Sequence, residues 1–154
     1  MTPEHIAQLE RDYISLINEH TEITCGDGWF FLIYRLCGEI LNYLEGKVYL
    51  SDVYAVQVKE KFGQLRFYTQ GYWDEGFSDL IAQYEDYSRT VCEETGRPGS
   101  LYKRGYWLKT LCEDKAKELG YIKATYNAHW LPISEEQPNE KEEVDKEADG
   151  TEES

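Results

Sequence analysis

The sequence predicts an α+β fold: two N-terminal helices, a β-hairpin, a third helix and a small C-terminal lobe. Three observations carry that reading. Apolar residues recur at helical spacing in three separate stretches of the chain. Between the second and third stretches, residues 53–69 switch to a period of two around Phe62-Gly63. After Cys92, glycine and proline punctuate runs too short for helices.

Each element has its own local cause. Thr2-Pro3-Glu4 is a helix start, with a hydroxyl cap, proline at the first helical position and an early acid. Ile6, Leu9, Tyr13, Leu16 and Ile17 continue it at helical spacing, which predicts a helix over about 3–20. Cys25-Gly26-Asp27-Gly28 reads as a tight turn in which Asp27 caps the next helix. The stripe Trp29, Ile33, Leu36, Ile40 and Leu44 is widened by Phe30 and Cys37, so the second helix is expected to be central and to stop at Gly46.

A turn at Phe62-Gly63 would pair 61 with 64, 59 with 66 and 58 with 67. Val56, Val58, Leu65 and Phe67 then share one face. Lys59 and Arg66 face each other on the other side, a like-charge pair that calls for an anion above it. An internal carboxylate, Asp27 or a neighbour of Glu60, is the simplest source; a bound phosphate or a partner's acid is the functional one. The third helix is expected over 75–92. Leu101–Lys103 and Tyr106–Leu111 suggest a second hairpin across Arg104-Gly105, residues 112–119 can form a short helix, and 121–131 can add an edge strand.

Length fits one domain, with residues 1–134 as the folding unit and 92–120 as its lobe. Residues 135–154 hold ten acidic residues, two lysines and no aromatic ring. Such a stretch buries too little apolar surface to offset ordering entropy, so a disordered acidic tail is expected. The net charge is −14, unevenly spread. Residues 1–96 carry 17 acidic and 7 basic residues, whereas 97–134 carry 3 acidic and 7 basic. A body this acidic would be repelled from a bare duplex. No N-terminal apolar stretch resembles a signal peptide and no run is long enough to span a membrane. Cys25, Cys37, Cys92 and Cys112 are accordingly expected to be reduced, in the cytoplasm.

The C-terminal lobe has the outline of a zinc ribbon with half its ligands gone. Cys92-x2-Thr95 and Cys112-x2-Lys115 fall at ribbon spacing, but threonine and lysine stand where thiolate or imidazole is needed. A structural zinc site is almost always four-coordinate. The expectation is therefore a degenerate zinc-ribbon-like lobe with no metal or other cofactor. Cys92 and Cys112 remain as residual ligand positions, and Leu101, Trp107, Leu108 and Leu111 supply the packing.

The blocks CGDGWFFLIYRLC (25–37), VQVKEKFGQLRFY (56–68) and CEETGRPGSLYKRGYWLKTLCEDK (92–115) resemble a family of small, uncharacterised bacteriophage and prophage proteins. The resemblance covers roughly residues 23–115. It implies a phage origin and an accessory role inside a bacterial cell. The family usually has four zinc ligands, from which this chain departs at Thr95 and Lys115.

Nothing in the sequence is arranged as a catalytic centre. His5, His20 and His129 fall in no metal-pair or nucleophile-dyad spacing, and the glycine turn at 25–28 lacks the lysine of a phosphate loop. The expected function is therefore binding, not enzymatic. The first reading is an acidic inhibitor or anti-defence protein that docks on a host protein with a basic surface, with imitation of nucleic-acid phosphates as one route. Its acidic face is expected at Glu85, Asp86, Glu93 and Glu94. The alternative is a nucleic-acid-binding module using the interleaved basic and aromatic residues Arg97, Tyr102, Lys103, Arg104, Trp107 and Lys109.

Overall fold

The structure is a computed structural model. It describes residues 1–49, 52–126 and 132–134, the last three by backbone alone. The expected tail at 135–154 and His129 lie outside these residues. The class is α+β, with four α-helices and two small sheets among the described residues. That is one helix more than the three-helix outline, the fourth being the short segment after Cys112.

Helix α1 spans Pro3–Asp12, and the Thr2 hydroxyl accepts from the His5 amide as its cap. It ends well before residue 20. Leu16 and Ile17 are buried as their spacing implies, but from a turn, because the Leu16 carbonyl accepts the Ala55 amide from the neighbouring sheet. A 3-10 turn at Asp27–Trp29 leads into α2, Phe30–Leu44. This helix buries Phe30, Leu32, Ile33, Leu36, Cys37, Ile40 and Leu44, and is the central helix of the core.

Strands β1 (Glu22–Ile23), β2 (Val53–Lys61) and β3 (Gln64–Gly71) form the first sheet in the order β1-β2-β3. The β2–β3 register matches the hairpin expected, with Lys61 opposite Gln64, Lys59 opposite Arg66 and Val58 opposite Phe67. Its turn needs left-handed backbone at both central residues, φ 53° at Phe62 and 78° at Gly63. A β-bulge between Ala55 and Gln57 corrects the face assignment. Beyond it Ala55 and Val53 enter the core, and Val56 is only half-buried. An extra residue shifts the side-chain alternation by one position.

Helix α3 spans Glu75–Tyr87, capped by Asp74, which accepts the Phe77 amide at 2.7 Å. A 3-10 turn at Ser88–Thr90 follows. The second sheet has the order β5-β4-β6-β7, from β4 (Ser100–Arg104), β5 (Trp107–Leu111), β6 (Ile122–Tyr126) and β7 (Pro132–Ser134). Helix α4, Glu113–Leu119, packs Ala116 beside Cys92, Leu111, Cys112 and Tyr121. The two sheets meet at the Phe62-Gly63 turn. Thr110 Oγ1 donates to the Gly63 carbonyl at 2.5 Å and Tyr126 Oη to the Phe62 carbonyl at 2.8 Å.

Candidate binding surfaces

The CGDGW turn is the hub of the molecule. Asp27 does not cap α2, as the sequence suggested; no side chain caps that turn. Its carboxylate accepts the Thr2 amide at 2.9 Å and meets His5 Nδ1 at 2.7 Å, while the His5 ring stacks on Phe30 at 3.9 Å. The Thr2 amide, ahead of the His5 contact, holds the Asp27 carboxyl below its ordinary pKa. On the other side the turn touches the C-terminal lobe. Gly28 N–H donates to the Glu93 carbonyl at 2.7 Å, and Trp29 Nε1 donates to the Val91 carbonyl at 2.9 Å. A Cβ on Gly28 would lie 2.2 Å from the Cys92 carbonyl oxygen, so only glycine permits this approach.

The four residues expected as an acidic face do not form one. Glu93 is only 3% exposed. Its Oε1 accepts the Gly26 amide at 3.0 Å and its Oε2 lies 3.8 Å from Lys109 Nζ. Burial pushes its carboxyl up, against the pull of Lys109. Glu85 is also largely structural: it accepts the Phe67 amide at 2.9 Å and stands 3.8 Å from Arg66. Glu85 is thus the internal carboxylate that the Lys59–Arg66 pair required, in place of Asp27, while Lys59 lies over the Tyr68 ring. Glu94 is half-buried and pairs with Lys109 at 3.0 Å. Asp86 alone of the four is exposed, and it pairs with Arg89 at 3.0 Å. Residue type could not separate these roles, because burial depends on the approach of the CGDGW turn to Glu93.

What the sequence missed is a groove of about 450 Å³ between α2 and the end of α3. Phe31, 75% exposed, and Tyr87, 60% exposed, line it together with Leu32, Tyr84 and Val91. Arg35 and Gln83 add polar edges. The available signal was Phe31, an aromatic residue beside a stripe already filled by Phe30 and Ile33. Next to the groove, α3 carries Glu75, Asp79, Glu85 and Asp86 and no basic residue; Asp79, Gln83 and Asp86 are exposed.

The expected nucleic-acid residues are also divided by the fold. Arg97 pairs with Asp114 at 3.2 Å and Lys109 with Glu93 and Glu94, so both charges are compensated. Tyr102 packs partly against the Cys92–Cys112 cluster. Lys103, Arg104 and Trp107 stay near the β4–β5 tip, Lys103 half-buried and the others exposed. Trp107 is 70% exposed, which corrects its expected packing role; Leu101, Leu108 and Leu111 are buried as anticipated.

Cys92 and Cys112 do come together. Thr95 Oγ1 lies 3.6 Å from Cys112 Sγ, and the Lys115 amide and the Cys92 thiol also hydrogen-bond that sulfur. Burial opposes these contacts, yet together they lower the Cys112 pKa. Lys115 turns its ammonium to Glu118 at 2.8 Å. Two sulfurs and a hydroxyl do not make a tetrahedral zinc set. Among the described residues no group of three or more His, Cys, Asp or Glu side chains is placed to hold a metal, and no helix is long and apolar enough to cross a membrane.

Comparison with known proteins adds no relative. No family model matches the chain, and neither a curated protein nor a solved structure is similar to it.

Proposed function

We propose that this chain is a binding protein that docks on a basic surface of a host protein and blocks or redirects it. The observation that carries the reading is the exposed Phe31–Tyr87 groove lying directly against the base-free acidic helix α3. An apolar anchor between the two rings would be desolvated, and cationic neighbours would meet Asp79 and, in exchange for its Arg89 pair, Asp86, on the α3 side away from Arg35. This moves the docking face away from Glu93 and Glu85, whose carboxylates hold backbone amides. Binding is favoured over catalysis because the titratable groups with clear geometry are committed to structure: His5 to Asp27, Glu85 to Phe67 and Glu93 to Gly26. A phage accessory role rests on the three sequence blocks, and a degenerate ribbon rests on the Cys92–Cys112 contact with Thr95 in a ligand position.

The test is affinity capture from bacterial lysate followed by binding measurements on the purified partner. A basic partner whose affinity falls in Phe31→Ala and Tyr87→Ala, falls again in Asp79→Lys with Asp86→Lys, and weakens with salt supports the reading. A partner indifferent to all four substitutions removes the groove from the interface.

A further inference from the structure

The C-terminal lobe carries a second surface of different chemistry. At the tip of the β4–β5 hairpin, Tyr106 is 101% exposed and Trp107 is exposed beside it. Register partners in an antiparallel sheet share a face. Arg104 stands opposite Trp107, and Tyr102 opposite both Lys109 and Lys123, so these five residues alternate on one side of the sheet.

The ion pairs show which charges remain. In this lobe Arg97, Lys109, Lys115 and Lys117 each lie within salt-bridge distance of a carboxylate. The remaining basic residues described there, Lys103, Arg104 and Lys123, make no salt bridge among the described residues. Lys103 lies on the other face, opposite Leu108 and Ile122, and Lys123 feels the Glu113 carboxylate only beyond salt-bridge distance. Arg104 is instead fixed without being neutralised. Its guanidinium lies 4.8 Å from the Tyr121 ring centroid, and Nη1 donates to the Leu119 carbonyl at 2.7 Å. A held cation, a second cation on the adjacent strand and two rings in water therefore coincide at one end of one sheet, in a chain of net charge −14.

We propose that this hairpin face binds single-stranded nucleic acid, with bases stacked on Trp107 and Tyr106 and phosphates at Arg104 and Lys123. Stacking needs free base faces, which a duplex does not offer. The acidic body would also be repelled by the denser charge of a duplex. An anionic lipid surface is the weaker match, since among the described residues Ile122 is the exposed large aliphatic side chain beside the tip, and the two cations on this face that make no salt bridge give little surface attraction.

The experiment is fluorescence anisotropy of the full chain with a labelled oligothymidylate, the corresponding duplex, and phosphatidylserine vesicles as a third probe. Binding of the single strand is expected, with log K falling against log salt at a slope of about −1.4, from two phosphate contacts. Trp107→Ala should weaken it by about fivefold or more. Arg104→Gln with Lys123→Gln should flatten the salt slope, with circular dichroism unchanged. Phe31→Ala should leave strand binding intact, which separates this surface from the groove. No binding at about 100 μM protein, the weak end of non-specific affinity, overturns the proposal. So does a preference for duplex or vesicles, or binding that survives Trp107→Ala.

Discussion

The Gly26 amide donates to Glu93 Oε1 at 3.0 Å across 67 residues of sequence. With the Gly28–Glu93 and Trp29–Val91 hydrogen bonds, it joins the start of the central helix to the C-terminal lobe. Glu93→Ala would strand that half-buried amide and deprive Lys109 of one of its two carboxylates. A loss of about 1–3 kcal/mol is expected by urea denaturation. Glu93→Gln keeps an acceptor and should recover most of it.

The same residue sets a pH dependence. Burial raises the folded pKa of Glu93 above the unfolded value of 4.5. Between those two values the folded state binds the extra proton, so this contribution to stability declines as pH rises through the window. The urea midpoint of Glu93→Gln relative to wild type should therefore improve as pH increases from about 4.5. A constant difference across that range would show that Glu93 ionises as freely folded as unfolded.

Asp74 works in the opposite sense. Tyr72, the Phe77 amide and Tyr43 hold its carboxyl down at about 2, from 3.8. Its contribution is complete above the unfolded value and is lost as pH falls through the folded one. Asp74→Asn should be less stable than wild type at neutral pH, with the gap closing as pH falls from 3.8 to about 2. Carboxyl NMR titration gives the folded pKa directly.

Two substitutions in the lobe should behave very differently. Leu111→Ala empties a fully buried site and should cost about 2–5 kcal/mol. Trp107→Ala, at an exposed tip, should stay within about 0.5 kcal/mol. Thermal unfolding of both variants checks the pair.

The thiol pair gives a metal prediction. Protein purified without chelator should carry less than one zinc per chain, because the donor set is incomplete. Thr95→Cys places a third sulfur where a hydroxyl already lies 3.6 Å from Cys112 Sγ. Zinc affinity should rise in competition with a chelating dye. Stoichiometric zinc in the wild type would mean that other residues complete the site.

Local chemistry was enough to determine much of the molecule from sequence. Thr2-Pro3 starts α1, the stripe from Trp29 to Leu44 makes α2, and Phe62-Gly63 sets a hairpin register that holds pair by pair from Lys61 to Val58. These are decided by neighbours a few residues apart, through caps, periodicity and turn geometry. Tertiary structure decided the rest. Residues 14–20 leave the helix because Leu16 gives its carbonyl to Ala55, and the bulge near Val56 exchanges which side chains reach the core. Glu93 reads in sequence as a solvated acid and becomes a buried acceptor because Gly26 and Gly28 let two backbones meet. Arg104 and Lys109 read alike, yet carboxylates from another part of the chain compensate only Lys109. Burial and charge pairing are set by residues distant in sequence, so they became readable only once the chain had closed on itself.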